Sequence, residues 1–423
     1  MLPIQALPFV PGHARGRVCI GADGANAQSI VVLTQAELTR LKVRPAGVIL
    51  VGGALYAHPT LRLLSQGIPT VLLAAQAARD LSSGLALSLD GQTGRLSPAA
   101  ESPAVAPPPT GPAPGRPVRT RDGVAIELRC SVTDARGAAA ARTAGAAAIG
   151  LARSEYLYPA DGRQPDRAFL TEACAAVCAA AAPLSVTFRL IDIAGDKRPP
   201  WLPDAPGLGG TLGLQGARLY AVEPVRSVYL AQLEALAALV DRYPLRVLLP
   251  YLVSVGEFER LQAEIRQHLP DVVPLGSMLE TPAAALAVRE FLERADFAAL
   301  GMNDLMQCLF AADRYRPELC GYLDPYSPII YRFLRLVAEQ AGDALSRVQV
   351  NGLLAQLPGV LPVLIGLGYR AFSVDPVMLP WLAQRVRQTD THAAAALADA
   401  LCSARSPAEV RRLLGLATTE MPC

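Results

Sequence analysis

Arginines, carboxylates and amides stand at the ends of apolar runs in this chain. Gly301-Met302-Asn303-Asp304-Leu305-Met306-Gln307 follows the apolar stretch 297–300. A run this short and uninterrupted reads as a fully buried strand. Glu280 ends a similar run at 272–279, Arg153 follows 147–152, Arg189 lies in 185–191 and Asn351 closes 348–350. A lone Asn-Asp reads as a turn or a helix cap. Two arginines, two carboxylates and an amide at strand ends suggest more, because α/β folds hold ligands and metals at the carboxyl edge of their sheets. The set suits a doubly charged oxyanion, gripped by guanidinium forks and held through a divalent cation.

His58 stands apart, in Gly52-Gly53-Ala54-Leu55-Tyr56-Ala57-His58-Pro59-Thr60. Pro59 suits the first position of a helix. His58 would then sit at a helix N-terminus, where free N–H groups and the dipole favour an anion. A phosphoryl group carried there would be stabilised. The plainer local reading is a cap or a packed surface histidine.

The elements that must position these residues follow from periodicity. Strands are expected at 125–132, 147–152, 185–191, 245–252, 272–279, 297–302, 348–350 and 371–374, with helices between them. Eight β/α units over roughly 300 residues are the pattern of a TIM barrel, whose active site lies where the strands end. Arg153, Arg189, Glu280, Asn303, Asp304 and Asn351 all fall there. Ahead of the barrel, residues 1–98 read as a small α/β domain, with strands at 29–34, 46–51 and 70–73, a helix at 60–65 and a hairpin over 85–96. Residues 100–115 are rich in Pro and Ala and cannot pack as helix or sheet. They read as a semi-rigid spacer that lets one domain swing against the other. The expected organisation is 1–98, a linker at 99–120, and a barrel over 121–423.

Composition narrows the classes. The chain has 423 residues, is 52% hydrophobic and carries a net charge of +2. A single core rarely grows that large, so two domains are expected. No basic run or basic–aromatic stripe suggests nucleic acid. No signal peptide and no stretch of about 18 uncharged apolar residues is seen, so no membrane span is expected. Eight cysteines are scattered along the chain. Cys174 and Cys178, one helical turn apart, read as small buried core residues, because two thiols with few histidines do not make a zinc site. Free thiols in a chain of this size fit a reducing cytoplasm.

The short motifs carry a family resemblance. Gly150-Leu-Ala-Arg-Ser-Glu-Tyr-Leu-Tyr158, Phe188-Arg-Leu-Ile-Asp-Ile-Ala-Gly-Asp-Lys197, Met278-Leu-Glu-Thr-Pro-Ala-Ala284, Gly301-Met-Asn-Asp-Leu-Met-Gln307, Ala312-Asp313-Arg314 and Asp324-Pro-Tyr-Ser-Pro328 occur in that order. In this the second domain resembles the PEP-binding barrel of enzyme I of the sugar phosphotransferase system, shared with pyruvate phosphate dikinase and phosphoenolpyruvate synthase. The first domain resembles that family's swivelling phosphohistidine domain, with Gly52-Gly53 before His58 and Gly67-Ile68-Pro69 after it. Enzyme I has a helical carrier-docking domain near the start of this unit. Here only a short stretch, residues 23–29, stands in its place.

The resemblance implies roles. Arg153, Arg189 and Arg314 would grip the phosphate and carboxylate of PEP, Asn303 would touch the phosphate, Glu280 and Asp304 would ligate Mg²⁺, and His58 would carry the phosphoryl group. A homodimer formed through the barrel is implied too. Phosphoryl transfer is mostly positioning and charge neutralisation, which such a set supplies. Three departures stand beside this. The family's proton-donating cysteine falls at Asn351, which cannot titrate as a thiol does. Gln215 replaces a ligand-contacting arginine, while Arg218 is kept. The Thr-Ser that usually precedes the histidine is missing before His58, and Pro59 follows it. Two functions remain open: PEP-dependent phosphorylation of His58 with transfer to an unknown acceptor, or a catalytically degenerate protein that binds PEP and regulates a partner.

Overall fold

The computed structural model describes residues 3–52, 58–101, 109–195, 198–202 and 212–416, with the side chains of residues 58, 59, 61, 62, 101 and 317 outside that description. The first eight strands are β1 (Ile4–Gln5), β2 (Leu7–Val10), β3 (His13–Ile20), β4 (Ser29–Leu33), β5 (Gly47–Val51), β6 (Thr70–Leu73), β7 (Ala86–Asp90) and β8 (Arg95–Pro98). They form one mixed sheet in the order β1-β8-β7-β3-β4-β5-β6-β2. Strands β3 to β6 are parallel neighbours. Along β4, Ile30 and Val32 enter one apolar cluster while Val31 and Leu33 enter another. Successive side chains of a strand point to opposite faces, so a sheet buried on both faces needs an unbroken apolar run.

Strands β1 to β3 escape a reading by apolar runs. β3 is His-Ala-Arg-Gly-Arg-Val-Cys-Ile, with charges interleaved, and only Ala14 and Val18 fully buried. Its glycine serves a close approach: a Cβ on Gly16 would lie 2.1 Å from the carbonyl oxygen of Gln28.

A short strand, β9 (Val118–Arg119), pairs antiparallel with the foot of β10 (Ala125–Val132). Then follow β11 (Ile149–Arg153), β12 (Val186–Arg189), β13 (Leu245–Leu249), β14 (Leu275–Leu279), β15 (Phe297–Gly301), β16 (Val348–Asn351) and β17 (Ala371–Val374). All neighbours from β10 to β17 are parallel, and β10 pairs with both β11 and β17. The sheet is therefore closed, an eight-stranded (β/α)₈ barrel of TIM type. Leu151, Leu248, Met278, Phe297 and Ala299 form a separate small apolar cluster.

Several boundaries differ from the periodicity. The helix expected after Glu280 is two helices, Pro282–Leu286 and Val288–Arg294, joined at Ala287. Met302 is helical and not the last strand residue, so Asn303 and Asp304 lie in the first turn of Met302–Leu309. Two helices, Thr391–Ser403 and Pro407–Leu413, complete the chain's C-terminal part. No described helix is long and apolar enough to cross a membrane. Cys174 and Cys178 are buried in the helix Arg167–Ala181, and burial pushes both thiols up, Cys178 to about 12. Among the described residues six cysteines are free, but Cys320 is disulfide-bonded, so the expectation of free thiols fails there. Scattered spacing along a sequence carries no distance information.

Candidate active site

The register of the barrel gathers the functional residues. Arg153 and Arg189 are direct partners on β11 and β12. Gly301 and Asn351 are partners on β15 and β16. Glu280 follows Leu279, whose partner is Leu300. Strands β11, β12, β14, β15 and β16 thus bring their last residues, or the residue just past the end, to one rim. There Arg153, Arg189, Glu280, Asn303, Asp304, Arg314 and Asn351 line a small, partly open cavity of about 50 Å³, with Glu155 and Tyr315 among its other walls.

Arg189 is the most constrained of the arginines. It is 3% exposed, and its Nη2 is paired with Glu155 and, at 2.7 Å, with Asp192. Burial alone would lower its pKa, yet Asp192 and Glu155, with Glu280 and Asp304 behind them, raise it, so it stays a cation. Arg314 bridges Nη2 to Asp304 Oδ1 at 3.1 Å and donates Nε to the Tyr315 hydroxyl at 2.9 Å. Arg153 makes no hydrogen bond or ion pair among the described residues and is partly exposed. It is the arginine most available to an incoming anion.

Asp304 lies in the first turn of its helix, and Glu280, just past the end of β14, is 1% exposed. Thr281 caps the helix after Glu280 by accepting from Ala284 N–H, and its hydroxyl donates to the Leu252 carbonyl. Glycine at 301 is required by Glu280: a Cβ there would lie 2.6 Å from Glu280 Oε2. Asn303 accepts the Leu353 N–H through Oδ1 at 3.1 Å, tying its helix to the loop after Asn351. Gly352, at φ +105°, leaves room for that amide, since its Cβ would sit 2.8 Å from Asn303 Oδ1.

The donor chemistry can be tested against magnesium. Among the described residues no group of three or more His, Cys, Asp or Glu could hold a metal ion. Glu280 and Asp304 offer carboxylate oxygens in the same cavity. Mg²⁺ takes hard oxygen ligands and is commonly bound by one or two carboxylates plus substrate phosphate and water. The residues fit an ion that arrives with a phosphate, not a free-standing metal centre.

A family model for the PEP-binding domain of PEP-utilising enzymes matches residues 112–391. The chain belongs to the PEP-utilising enzymes. It is 28% identical over 311 residues to multiphosphoryl transfer protein 1 of Escherichia coli (strain K12), covering 71% of this chain and 37% of that one. It is 29% identical over 410 residues to the phosphoenolpyruvate-protein phosphotransferase of Haloferax volcanii, covering 92% and 72%. With the protein of the same name from Cupriavidus necator it shares 31% over 316 residues, covering 69% and 52%. The chain thus spans little more than a third of the multiphosphoryl transfer protein.

Around the cavity the barrel of this member of the family holds supporting residues that strand-end counting missed. Tyr251 follows β13 with φ +54°, and its N–H donates to Glu280 Oε1 at 2.8 Å. Its hydroxyl is hydrogen-bonded with the side chains of Gln215 and Cys308. Burial, followed by the charge of Asp304, pushes the Cys308 thiol up. Gln215 is therefore a buried partner of Tyr251, and Arg218 lies over the Tyr251 ring, 5.1 Å from its centroid. Asp375, just past β17, is locked to Gln356 by two hydrogen bonds, and Arg153 is the nearest charge acting on it. A Pro-Tyr after an apolar run was the only available signal for Tyr251, and nothing in it announces a left-handed turn.

The backbone at His58 opens the helix His58–Gln66, while its side chain lies outside the described residues. The end of that helix meets the barrel: a Cβ on Gly67 would lie 3.1 Å from Val377 Cγ2, in the loop after β17.

Proposed function

We propose that this chain is a PEP-binding, phosphotransferase-like protein that moves a phosphoryl group from PEP to His58 and on to an unknown acceptor protein. The observation that carries this reading is the convergence of Arg153, Arg189 and Arg314 with Glu280 and Asp304 around one cavity at the barrel's carboxyl rim. PEP carries a carboxylate and a phosphate, and planar guanidinium forks match both groups. Arg153, without a protein partner, takes the anion first. Arg314 already bridges toward Asp304 and turns its remaining donors to the phosphate. Arg189, fixed by Glu155 and Asp192, supplies a preorganised positive field at no cost of reorganisation. Asn303 orients a phosphate oxygen from the helix N-terminus. Glu280 and Asp304 would hold Mg²⁺, which when bound neutralises charge on the phosphoryl oxygens. The far end of the helix that begins at His58 lies against the loop after β17, which supports a first domain that works beside the barrel's rim; the carrier role of His58 rests on the family resemblance. Action as a cytoplasmic homodimer belongs to this reading.

Asn351 favours a second reading. It stands where a titratable proton donor is expected, and a protein that binds PEP without turning it over could regulate a partner. Incubation with phosphorus-labelled PEP and Mg²⁺ separates the two. Acid-labile, base-stable label on the wild type and none on His58→Ala supports the transferase. No label, with Mg²⁺-dependent PEP binding that Asp304→Ala abolishes, supports the regulator. Absence of PEP binding sinks both.

A further inference from the structure

We propose that Asn351 is a direct hydrogen-bonding group for the bound PEP, recognising an oxygen of its carboxylate or of the C2–O bridge. This rests on the PEP-binding reading above. Asn351 is the last residue of β16, is 1% exposed and lines the cavity. Both its Oδ1 and its Nδ2 lack a hydrogen-bond partner among the described residues.

That state is unusual, because buried side-chain amides are as a rule bonded to protein or water. The neighbouring amides obey the rule. Gln349, two residues back on the same strand face, donates Nε2 to the Gly150 carbonyl at 2.8 Å and accepts from Arg129 at 2.7 Å. Asn303 accepts from Leu353. Glu155 and Arg189 each leave one buried atom unpaired, but each is also held in an ion pair. Of the buried polar residues lining the cavity, Asn351 is the one whose whole amide faces no partner. An orphan in the wall of a cavity that three arginines also line is a recognition group awaiting its ligand.

The chemistry suits such a ligand. A neutral amide offers two N–H donors and one acceptor oxygen, with no proton to lose near neutral pH. Nδ2 donates to an oxygen carrying negative charge. Loss of the phosphoryl group leaves the C2 oxygen as an enolate, an acceptor to which Nδ2 can still donate, so one amide N–H group recognises both PEP and the enolate that replaces it.

The test uses the full chain. Asn351→Ala and the near-isosteric Asn351→Leu are compared with wild type in two measurements: melting temperature without ligand, and PEP affinity by calorimetry with Mg²⁺ present. Removing an unpartnered buried amide should leave the melting temperature unchanged or raised. PEP affinity should fall at least about tenfold, the effect of one lost hydrogen bond to a charged group. A variant that melts lower yet binds PEP as wild type does would show that Asn351 belongs to the scaffold, and would overturn the proposal. Equal affinity at equal stability would overturn it too. Wild type that gives no PEP binding fails differently, because it removes the PEP reading itself.

Discussion

Tyr251 donates its backbone N–H to Glu280 Oε1 across 2.8 Å, and does so from φ +54°. A bulky residue held at such a φ costs on the order of 1–3 kcal/mol and persists only where its surroundings over-determine it. Here the surroundings do so. The ring lies beneath Arg218, the hydroxyl meets Gln215 and Cys308, and a Cβ on Gly216 would be 2.6 Å from Tyr251 Cβ. The turn holds one proposed metal-binding carboxylate in place. Tyr251→Gly keeps both the φ and the N–H, so Mn²⁺ affinity in the presence of saturating PEP, read by electron paramagnetic resonance, should change little. Tyr251→Val, β-branched and averse to positive φ, should weaken it about tenfold. Equal affinities in the two variants would show that the turn does not matter to Glu280.

Gly301→Ala drives a methyl group into the same carboxylate. The new Cβ would lie 2.6 Å from Glu280 Oε2 and 2.7 Å from Glu280 Cβ. Overpacking of this kind costs about 1–3 kcal/mol. Gly276→Ala is the control, since its Cβ would strike the Phe297 ring at 2.5 Å. Both variants should melt lower, but only Gly301→Ala should also lose PEP affinity in calorimetry.

Removing Arg189 should destabilise the fold strongly. Arg189→Met leaves Glu155 and Asp192 buried without their cation, and a broken buried pair costs about 3–5 kcal/mol. Urea unfolding measures it. Adding Glu155→Gln and Asp192→Asn to the same chain should recover most of the loss, because the uncompensated charges are then gone.

Asp375 gives a pH dependence of defined sign. Burial raises its carboxyl above the usual 3.8, while Arg153 and a hydrogen bond from Gln356 pull it back. A carboxyl whose folded pKa lies above its unfolded value favours folding fully at low pH, below the unfolded value. That contribution is lost as pH rises through the folded value. Wild type should therefore lose stability relative to Asp375→Asn as the pH rises above the ordinary carboxyl range of about 4. A constant difference over that rise would contradict the raised pKa.

Asn351→Cys places a titratable thiol at the end of β16. If protonation of the enol carbon limits turnover, a positioned acid speeds it by about 10²–10⁴-fold. At saturating PEP, pyruvate release, followed in a coupled assay, should rise in Asn351→Cys and stay at the wild-type level in Asn351→Ser.

The barrel was legible because parallel strands buried on both faces are mainly apolar, and eight short, largely apolar segments alternate with helices here, some interrupted by a polar residue such as Arg246 in β13 or Gln349 in β16. Arg153, Glu280 and Asn351 were legible for the same reason, since the end of a run fixes the position of the next residue. Asp304 was found in the right cavity but on the wrong element, because Gly301-Met302 gives no sign of where strand yields to helix. Strand β3 was hidden by its own arginines, and Cys320 by the lack of any spacing rule.

The sequence by itself determined the closed barrel, the family, and which side chains end the strands. The reason is local: burial on both faces and a period of two are written residue by residue. Only the tertiary structure decided how those side chains are used. It paired Arg189 with Glu155 and Asp192, set Arg314 against Asp304, turned Tyr251 under Glu280, and left the Asn351 amide without a partner. These are relations between residues far apart in the chain, created by strand register and loop closure, and neither is a property of any one segment.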